Sequence, residues 1–211
     1  MSILNKNDQK GRSMVEMLGV LAIIGVLSVG GISGYSKAMA KFKLTKAQDQ
    51  ISMLLMNVRT AFATSPSYDG LTNASAVAFA IAPGDMYPGA SIPTSYGVGA
   101  VTQLNNAFGG GAHVYSCKTP QSDGGAQLKC KAGINSGADV ASEQYFAIAL
   151  TNLGREACVS LASSDWGTDG LLSIQVNGKY FGTEKLPIGM IEAGSKCPGY
   201  GERGTIVWTY Y

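Results

Sequence analysis

The feature that most constrains the fold is a long uncharged run near the start of the sequence. No side chain between Met17 and Ser36 is charged, and Val, Leu, Ile, Ala and Gly supply most of the run. A helix rises about 1.5 Å per residue, so a run of this length crosses a hydrocarbon core of roughly 30 Å. The run therefore predicts a membrane-spanning helix.

One acid interrupts the apolar entry to this run. Glu16 follows a short polar segment that carries Lys6, Lys10 and Arg12. A carboxylate at membrane depth costs about 2.5 kcal/mol or more unless it finds a partner, which makes Glu16 a candidate functional residue. The alternative is an ordinary uncleaved membrane anchor that happens to carry an acid.

The residues that follow predict a second, amphipathic half of the same helix. Its apolar stripe, with members alternately three and four residues apart, consists of Leu44, Ala47, Ile51, Leu54, Val58 and Ala61. These residues share one helical face, and polar residues such as Gln50 are expected mostly off it. No proline precedes Pro66, so we expect one helix from about Ser13 to Ala63, half in lipid and half packed on a domain. A coiled coil is the alternative for the stripe, which lasts too few heptads to require one.

Glycines in the apolar half of this helix need an explanation, because each costs up to about 1 kcal/mol against Ala in a water-exposed helix. They are Gly19, Gly25, Gly30, Gly31 and Gly34. Gly30 and Gly34 have the small-xxx-small spacing that lets helices approach closely in a bilayer. The alternative is a place between Gly30 and Gly34 where the helix bends or melts. Both interpretations imply that the helix packs against copies of itself.

The remainder of the chain, roughly 150 residues, is long enough for one domain with its own core. The sequence has 28 glycines, and those in its second half, spread among Ser, Thr, Asn and Asp, favour many turns and short strands. Charged residues make up 14 % of the sequence, below the usual quarter, as suits a membrane-anchored extracellular protein. A net charge of +2 is too small to indicate nucleic acid as a primary ligand.

Several segments of this domain predict strands and turns. Asn177-Gly178 between two strand-like runs is the strongest hairpin signal, and residues 205–211 predict a terminal strand. Residues 113–118 and 128–133 are expected to pair with each other, and Tyr145 to Thr151 alternates bulky and small residues as a strand does. Residues 154–163 have helical spacing, with one helix running across Gly154 as the alternative.

The four cysteines, Cys117, Cys130, Cys158 and Cys197, form an even set in a chain expected to face an oxidising compartment. Three pairings are possible, and the neighbouring predicted strands favour Cys117 with Cys130. A zinc site is the alternative, but there is no C-x-x-C pair and His113 is the one histidine.

Nothing in the sequence predicts catalysis, a cofactor or a metal ion. His113 lies in a strand-like stretch, where a structural role is expected, and the acidic residues are scattered on polar segments. Gly199 to Gly204 matches G-x-G-x-x-G, but Cys197-Pro198 precedes it and a strand-like run follows, so it predicts a loop. The chain is expected not to be an enzyme.

The N-terminal segment resembles the processing site of type IV prepilins. Gly11, one residue, and then Ser13-Met14-Val15-Glu16-Met17-Leu18 reproduce its pattern. In that family a hydrophilic leader ends in Gly, and an acid is the fifth residue of the mature chain. The resemblance implies a leader at residues 1–11, cleavage by a prepilin peptidase between Gly11 and Arg12, and N-methylation of Arg12. Most members begin with Phe at that position, whereas type IVb pilins accept other residues.

Two further strings resemble the bundlin-like type IVb pilins. Ala157 to Ala162 reads Ala-Cys-Val-Ser-Leu-Ala, and residues 106–110 read Asn-Ala-Phe-Gly-Gly. The resemblance implies a Cys158–Cys197 disulfide that closes the C-terminal region. It also implies the α+β pilin fold, with a long N-terminal helix at residues 12–63, membrane-spanning over 12–36 and amphipathic over 37–63. That helix packs on an antiparallel sheet in a head at residues 64–211.

The function implied by this resemblance is structural. The precursor would lie in the inner membrane, and the pilus assembly machinery would draw mature subunits into a homo-oligomeric surface filament. Glu16 would pair with the new N-terminal amine of Arg12 on a neighbouring subunit. Filaments of this family serve adhesion, aggregation, motility, conjugation or DNA uptake. The alternatives are a minor tip pilin, a secretion-system pseudopilin and, from another class, a monomeric membrane-tethered adhesin.

Overall fold

The computed structural model describes residues 14–88, 103–123, 126–133, 137–167 and 169–211. The chain divides into two units, the first ending at Phe42 and the second comprising Lys43–Tyr211. Helix α1, Met14–Ala61, contributes residues to both units. Its C-terminal end confirms the predicted helix to within two residues, and the predicted first residue, Ser13, lies outside the described residues.

The first unit consists, in its described part, of the N-terminal portion of α1. Residues 14–38 are all exposed, and the backbone is helical through Gly30 to Gly34. By length and composition, α1 is long and apolar enough to cross a membrane.

The second unit is built on a six-stranded antiparallel sheet with the order β1-β2-β7-β10-β8-β9. The strands are β1 (Leu104–Asn105), β2 (Gly111–Ser116), β3 (Gln121–Asp123), β4 (Ala126–Leu128), β5 (Lys131–Ala132), β6 (Ala138–Asp139), β7 (Phe146–Leu153), β8 (Leu171–Val176), β9 (Lys179–Gly182) and β10 (Gly204–Tyr210). The helices after α1 are α2 (Asn73–Ala78), α3 (Arg155–Ala162) and α4 (Met190–Lys196). The predicted α+β class is confirmed.

Two short sequence signals, the Asn177-Gly178 turn and Gly154, correctly predict where elements of the second unit begin and end. Strands β8 and β9 form the predicted hairpin, with φ of 48° at Asn177 and 78° at Gly178, the left-handed backbone that a two-residue turn requires. Strand β7 occupies most of the predicted 145–151 run and continues to Leu153. Helix α3 then begins after Gly154. One helix running across Gly154 is therefore wrong, because the residues before Gly154 pair in the sheet.

The predicted pairing of residues 113–118 with 128–133 is wrong. Both edges of β2 are occupied, by β1 on one side and β7 on the other. Strand β4 pairs with β3, and β5 pairs with β6. Residues 129–131 instead meet the side chains of β8, where Gln175 donates to the Lys129 carbonyl at 2.9 Å and Ser173 donates to the Lys131 carbonyl at 2.6 Å.

The core explains the alternation of bulky and small residues in β7. Phe146, Ile148 and Leu150 point into the main cluster, which also contains the buried stripe of α1. Ala147 and Ala149 face a smaller cluster on the opposite side with Tyr115 and the Cys117–Cys130 disulfide. The sheet is therefore buried on both faces along its central strands.

Candidate assembly site

The first candidate site is the apolar surface of α1 in the first unit. From Met17 to Ile32, every large apolar side chain is between 48 % and 75 % exposed, and these side chains lie on all sides of the helix. A helix that is apolar all round belongs inside a membrane or a larger assembly. No described residue of the first unit buries this surface.

Glu16 lies in the first turn of α1. Acidic groups are stabilised at this end of a helix by the partial positive charge of the unpaired N–H groups. Within the described ranges Glu16 forms no ion pair. The predicted cleavage and methylation positions, Gly11 and Arg12, lie outside the described residues, so their roles and the pairing of Glu16 stay predictions.

The glycines of the apolar segment are not required by any contact with the residues that the structure describes. A Cβ built on Gly19, Gly25, Gly30, Gly31 or Gly34 meets no heavy atom within 4 Å other than the backbone of its own helix. Their cost to the helix is thus not offset by close packing in the described part of the subunit.

In the second unit, the predicted stripe of α1 packs on the sheet. Ala47, Ile51, Leu54 and Val58 are fully buried. The predicted contribution of Ala61 is wrong: this residue is exposed because it lies at the end of the helix.

The prediction that Gln50 lies off the stripe is wrong, because its side chain is buried. Its amide donates to Asp85 Oδ2 at 3.0 Å, and its carbonyl oxygen accepts from the Ala107 N–H at 3.1 Å. The spacing of three residues from Ala47 and four to Leu54 is the signal that identifies this position as part of the buried face. The amide anchors two connecting segments on the helix.

Both disulfides named in the sequence analysis are formed, Cys117–Cys130 and Cys158–Cys197. The second joins α3 to the C-terminal end of α4. Arg155 supports the same junction, because its guanidinium donates to the carbonyls of Pro198 and Gly194, both at 3.0 Å. The C-terminal region is therefore held to α3 by one covalent bond and two charge-assisted hydrogen bonds.

The Asn106-to-Gly110 turn is organised by one side chain. The Asn106 amide donates to the carbonyls of Gly111 and Thr151 at 3.0 and 2.9 Å. Its oxygen accepts from the N–H groups of Phe108 and Gly110 at 2.9 and 3.1 Å. An Asn at the start of this string is thus needed to connect β1, β2 and β7.

His113 lies in β2, with its Nε2 atom buried and 3.7 Å from Asp123 Oδ2. Burial lowers the pKa of His113 below its ordinary value, against the opposing effect of Asp123. Residues 199–203 form a loop between α4 and β10, as predicted, and Gly204 is the first residue of β10. No group of three His, Cys, Asp or Glu side chains in the described ranges is placed to bind a metal ion.

Comparison with solved structures identifies the fold of this chain. No protein-family model and no curated protein sequence matches the chain. Among solved structures, a type IVb pilin from Salmonella typhi matches with a TM-score of 0.51 and 21 % identity, over 81 % of this chain and 98 % of that one. TcpA, a type IV pilin from Vibrio cholerae El Tor biotype, matches with a TM-score of 0.42 and 17 % identity, over 80 % and 99 %. The first of these establishes that the chain has the type IV pilin fold.

Proposed function

We propose that this chain is the structural subunit of a type IV pilus of the type IVb kind. The precursor is held in the inner membrane by the first unit. A prepilin peptidase cuts between Gly11 and Arg12, and Arg12 is then N-methylated. The assembly machinery draws mature subunits into a filament on the cell surface, with α1 of each subunit in the filament interior.

The observation that carries this proposal is the uncovered apolar surface of α1 on a chain that has the pilin fold. Residues 14–38 are all exposed, yet the second unit has its own hydrophobic core and two disulfides. A bilayer satisfies such a helix before assembly, and a bundle of identical helices satisfies it afterwards. The five glycines, at which an added Cβ would contact no other described part of the subunit, then serve close contact between helices.

Cleavage supplies a partner for Glu16, which forms no ion pair with any residue that the structure describes. Removal of the leader exposes a positively charged α-amine on Arg12, and in a poorly solvated filament interior its attraction for a carboxylate exceeds the value in water. Pairing between adjacent subunits also sets the axial register, because any other stagger leaves both charges unpaired. The Arg12 guanidinium is four residues from Glu16 and competes for it within one chain.

The decisive experiment replaces Glu16 with Gln in cells that make no other copy of this pilin. Glu16→Gln is expected to insert, to be cleaved and to form both disulfides, but to reduce the yield of sheared filaments at least tenfold. Asp49→Asn is the matched control, because Asp49 is an exposed acid on the same helix and makes no ion pair among the described residues. Abundant filaments built only from Glu16→Gln subunits would show that this acid does not determine assembly.

Processing has a separate test. N-terminal sequencing of sheared filaments is expected to begin at Arg12, and Gly11→Val is expected to leave the uncut precursor in the inner membrane. Mature protein of normal size from Gly11→Val would overturn the assigned cleavage position. Immunoblot stoichiometry of the same filaments separates a major subunit from a minor tip subunit.

A further inference from the structure

A concave surface lined by aromatic side chains lies in the second unit, beside the chain segment that follows α1. This aromatic groove has a volume of about 580 Å³, within the roughly 300–1,000 Å³ of small-molecule sites. Its lining comprises four aromatic residues, two serines, a proline, a glutamine and a leucine. They come from the segment that follows α1, the approach to β7, strand β8 and the residue after β10.

Backbone hydrogen bonds hold the walls of the aromatic groove together. The Tyr68 N–H donates to the Glu143 carbonyl at 2.7 Å, and the Tyr211 N–H donates to the Gly170 carbonyl at 3.0 Å. Behind the groove, the Tyr68 ring packs on Phe146 with 4.6 Å between centroids, and Phe62 packs on Tyr68 at 5.5 Å. The groove is therefore preformed, which reduces the entropy lost when a ligand binds.

The polar groups of the aromatic groove are available to a ligand. In the described part of the chain, the hydroxyls of Tyr68, Tyr145 and Tyr211 and the side-chain amide of Gln144 have no hydrogen-bond partner. Burial raises the pKa of Tyr68, so its hydroxyl stays protonated at neutral pH and can donate. The groove thus offers both donors and acceptors beside the faces of aromatic rings.

The charge and polarity of the lining side chains indicate which class of ligand the groove can bind. None of the described lining residues has a charged side chain, so a phosphate, a sulfate or a carboxylate would meet no counter-charge in the lining itself. The Arg59 guanidinium acts on Tyr68 from outside the lining, and it already donates to the Asp169 carbonyl. An acyl chain would bury the three phenol hydroxyls and the amide unpaired. A neutral sugar has an apolar C–H face for an aromatic ring and a rim of hydroxyls that both donate and accept.

We propose that the aromatic groove binds a neutral carbohydrate of one or two hexose units. Its aromatic rings contact the C–H face of the sugar, and Gln144 and the tyrosine hydroxyls bind the sugar hydroxyls. This site goes beyond the assembly role and does not depend on it, since none of its lining residues lies in the first unit.

The test uses the full chain in a detergent without a sugar headgroup, such as a zwitterionic amine oxide. Saturation-transfer NMR would be recorded against neutral mono- and disaccharides of glucose, galactose, mannose, fucose and the N-acetylhexosamines. Sialyllactose and sulfated lactose are included as charged probes. Saturation of the ring protons of at least one neutral sugar is expected, with charged derivatives no stronger than their neutral parents.

Two exposed groove residues supply the variants. Tyr211→Ala and Gln144→Ala are expected to weaken binding of that sugar at least tenfold while both disulfides stay formed. Tyr200→Ala is the matched control, because Tyr200 is 92 % exposed and lies outside the groove. No transfer to any neutral sugar, binding of charged probes alone, or equal binding by Tyr211→Ala, Gln144→Ala and the unaltered chain would each overturn the proposal.

Discussion

The two units of this chain satisfy their apolar residues in opposite ways. In the first unit, residues 14–38 are exposed without exception, although nearly all of them are apolar or small. In the second, side chains such as Trp208 and Leu54 are completely buried. One helix belongs to both, and its sequence changes from apolar all round to a one-sided stripe. The second unit buries its apolar residues in its own core, whereas the described residues of the first unit bury none of theirs.

Glycines show the same contrast residue by residue. A Cβ on Gly25 would meet no atom outside the backbone of its own helix, whereas a Cβ on Gly110 would overlap the Thr151 carbonyl oxygen and lie 2.6 Å from Asn152 Cβ. Gly110 is therefore required inside the subunit. No contact with a described part of the subunit requires Gly25.

The largest expected effect comes from removing the disulfide between α3 and α4. Its sequence separation of 39 residues corresponds in the chain-entropy model to about 4 kcal/mol of stability. Cys158→Ala combined with Cys197→Ala should lower the free energy of unfolding of the second unit by about that amount. Both tryptophans, Trp166 and Trp208, lie in this unit, so their fluorescence during urea unfolding of the detergent-solubilised chain reports its stability alone.

The other disulfide provides the comparison for this measurement. Cys117 and Cys130 are 13 residues apart, so their joint replacement by Ala should cost less, about 3 kcal/mol. Membrane insertion of α1 should be unchanged in both double variants. A variant that fails to insert would show that the first unit depends on the second, contrary to the division drawn above.

The glycine contrast predicts the next largest effect. Gly110→Ala should destabilise the second unit by about 3 kcal/mol, because the added methyl meets backbone atoms that cannot move independently. Gly25→Ala is the matched change and should leave tryptophan-detected unfolding unaltered while reducing filament yield. Equal unfolding curves for the two variants would remove the distinction between the two kinds of glycine.

Much of this fold could be predicted because its signals are local. The Asn177-Gly178 turn, the strand before Gly154 and most of the α1 stripe each depend on short-range chemistry. The Cys117–Cys130 disulfide is formed, although the strand pairing that favoured it is not. The strand pairing of residues 128–133 could not be predicted, because it depends on which edges of β2 are already occupied. A single strand does not carry that information.

The sites differ in the same respect. The apolar run and Glu16 are contiguous in sequence, so the candidate assembly surface could be identified without a structure. The aromatic groove joins side chains that are far apart in the chain, such as Phe62, Gln144 and Tyr211, and no spacing rule connects them. Gln50 could be predicted only in part. Helical spacing places it on the buried stripe, but its polarity suggested an exposed position.

A smaller effect is expected at Gln50, in the part of α1 that belongs to the second unit. Gln50→Ala removes two hydrogen bonds and leaves the Ala107 N–H without its acceptor, so the second unit should lose about 2 kcal/mol. Asp49→Ala, its exposed neighbour, should change stability by less than about 0.5 kcal/mol. A cost at Asp49 equal to that at Gln50 would mean that helix propensity, and not the buried amide, sets the result.

The smallest expected effect is a dependence on pH that should be confined to the second unit. The pKa of His113 is lowered in the folded chain because burial disfavours the imidazolium, and Asp123 opposes this only in part. The unfolded chain therefore takes up a proton first as the pH falls. Stability from the neutral imidazole is fully present above the unfolded pKa of 6.5 and decreases as the pH drops below it toward the folded pKa.

Differences between variants isolate this contribution from the titration of the carboxylates. Between pH 8 and pH 5, the unaltered chain should lose more stability than His113→Gln, which has no imidazole to protonate. Asp123→Asn should lose more than the unaltered chain, because it removes the carboxylate that favours the imidazolium 3.7 Å away. The extent of α1 insertion should be the same at both pH values in all three proteins. Identical pH dependence of the unaltered chain and His113→Gln would show that the folded and unfolded states bind the imidazole proton equally well. The burial of His113 would then contribute nothing to the pH dependence of the second unit's stability.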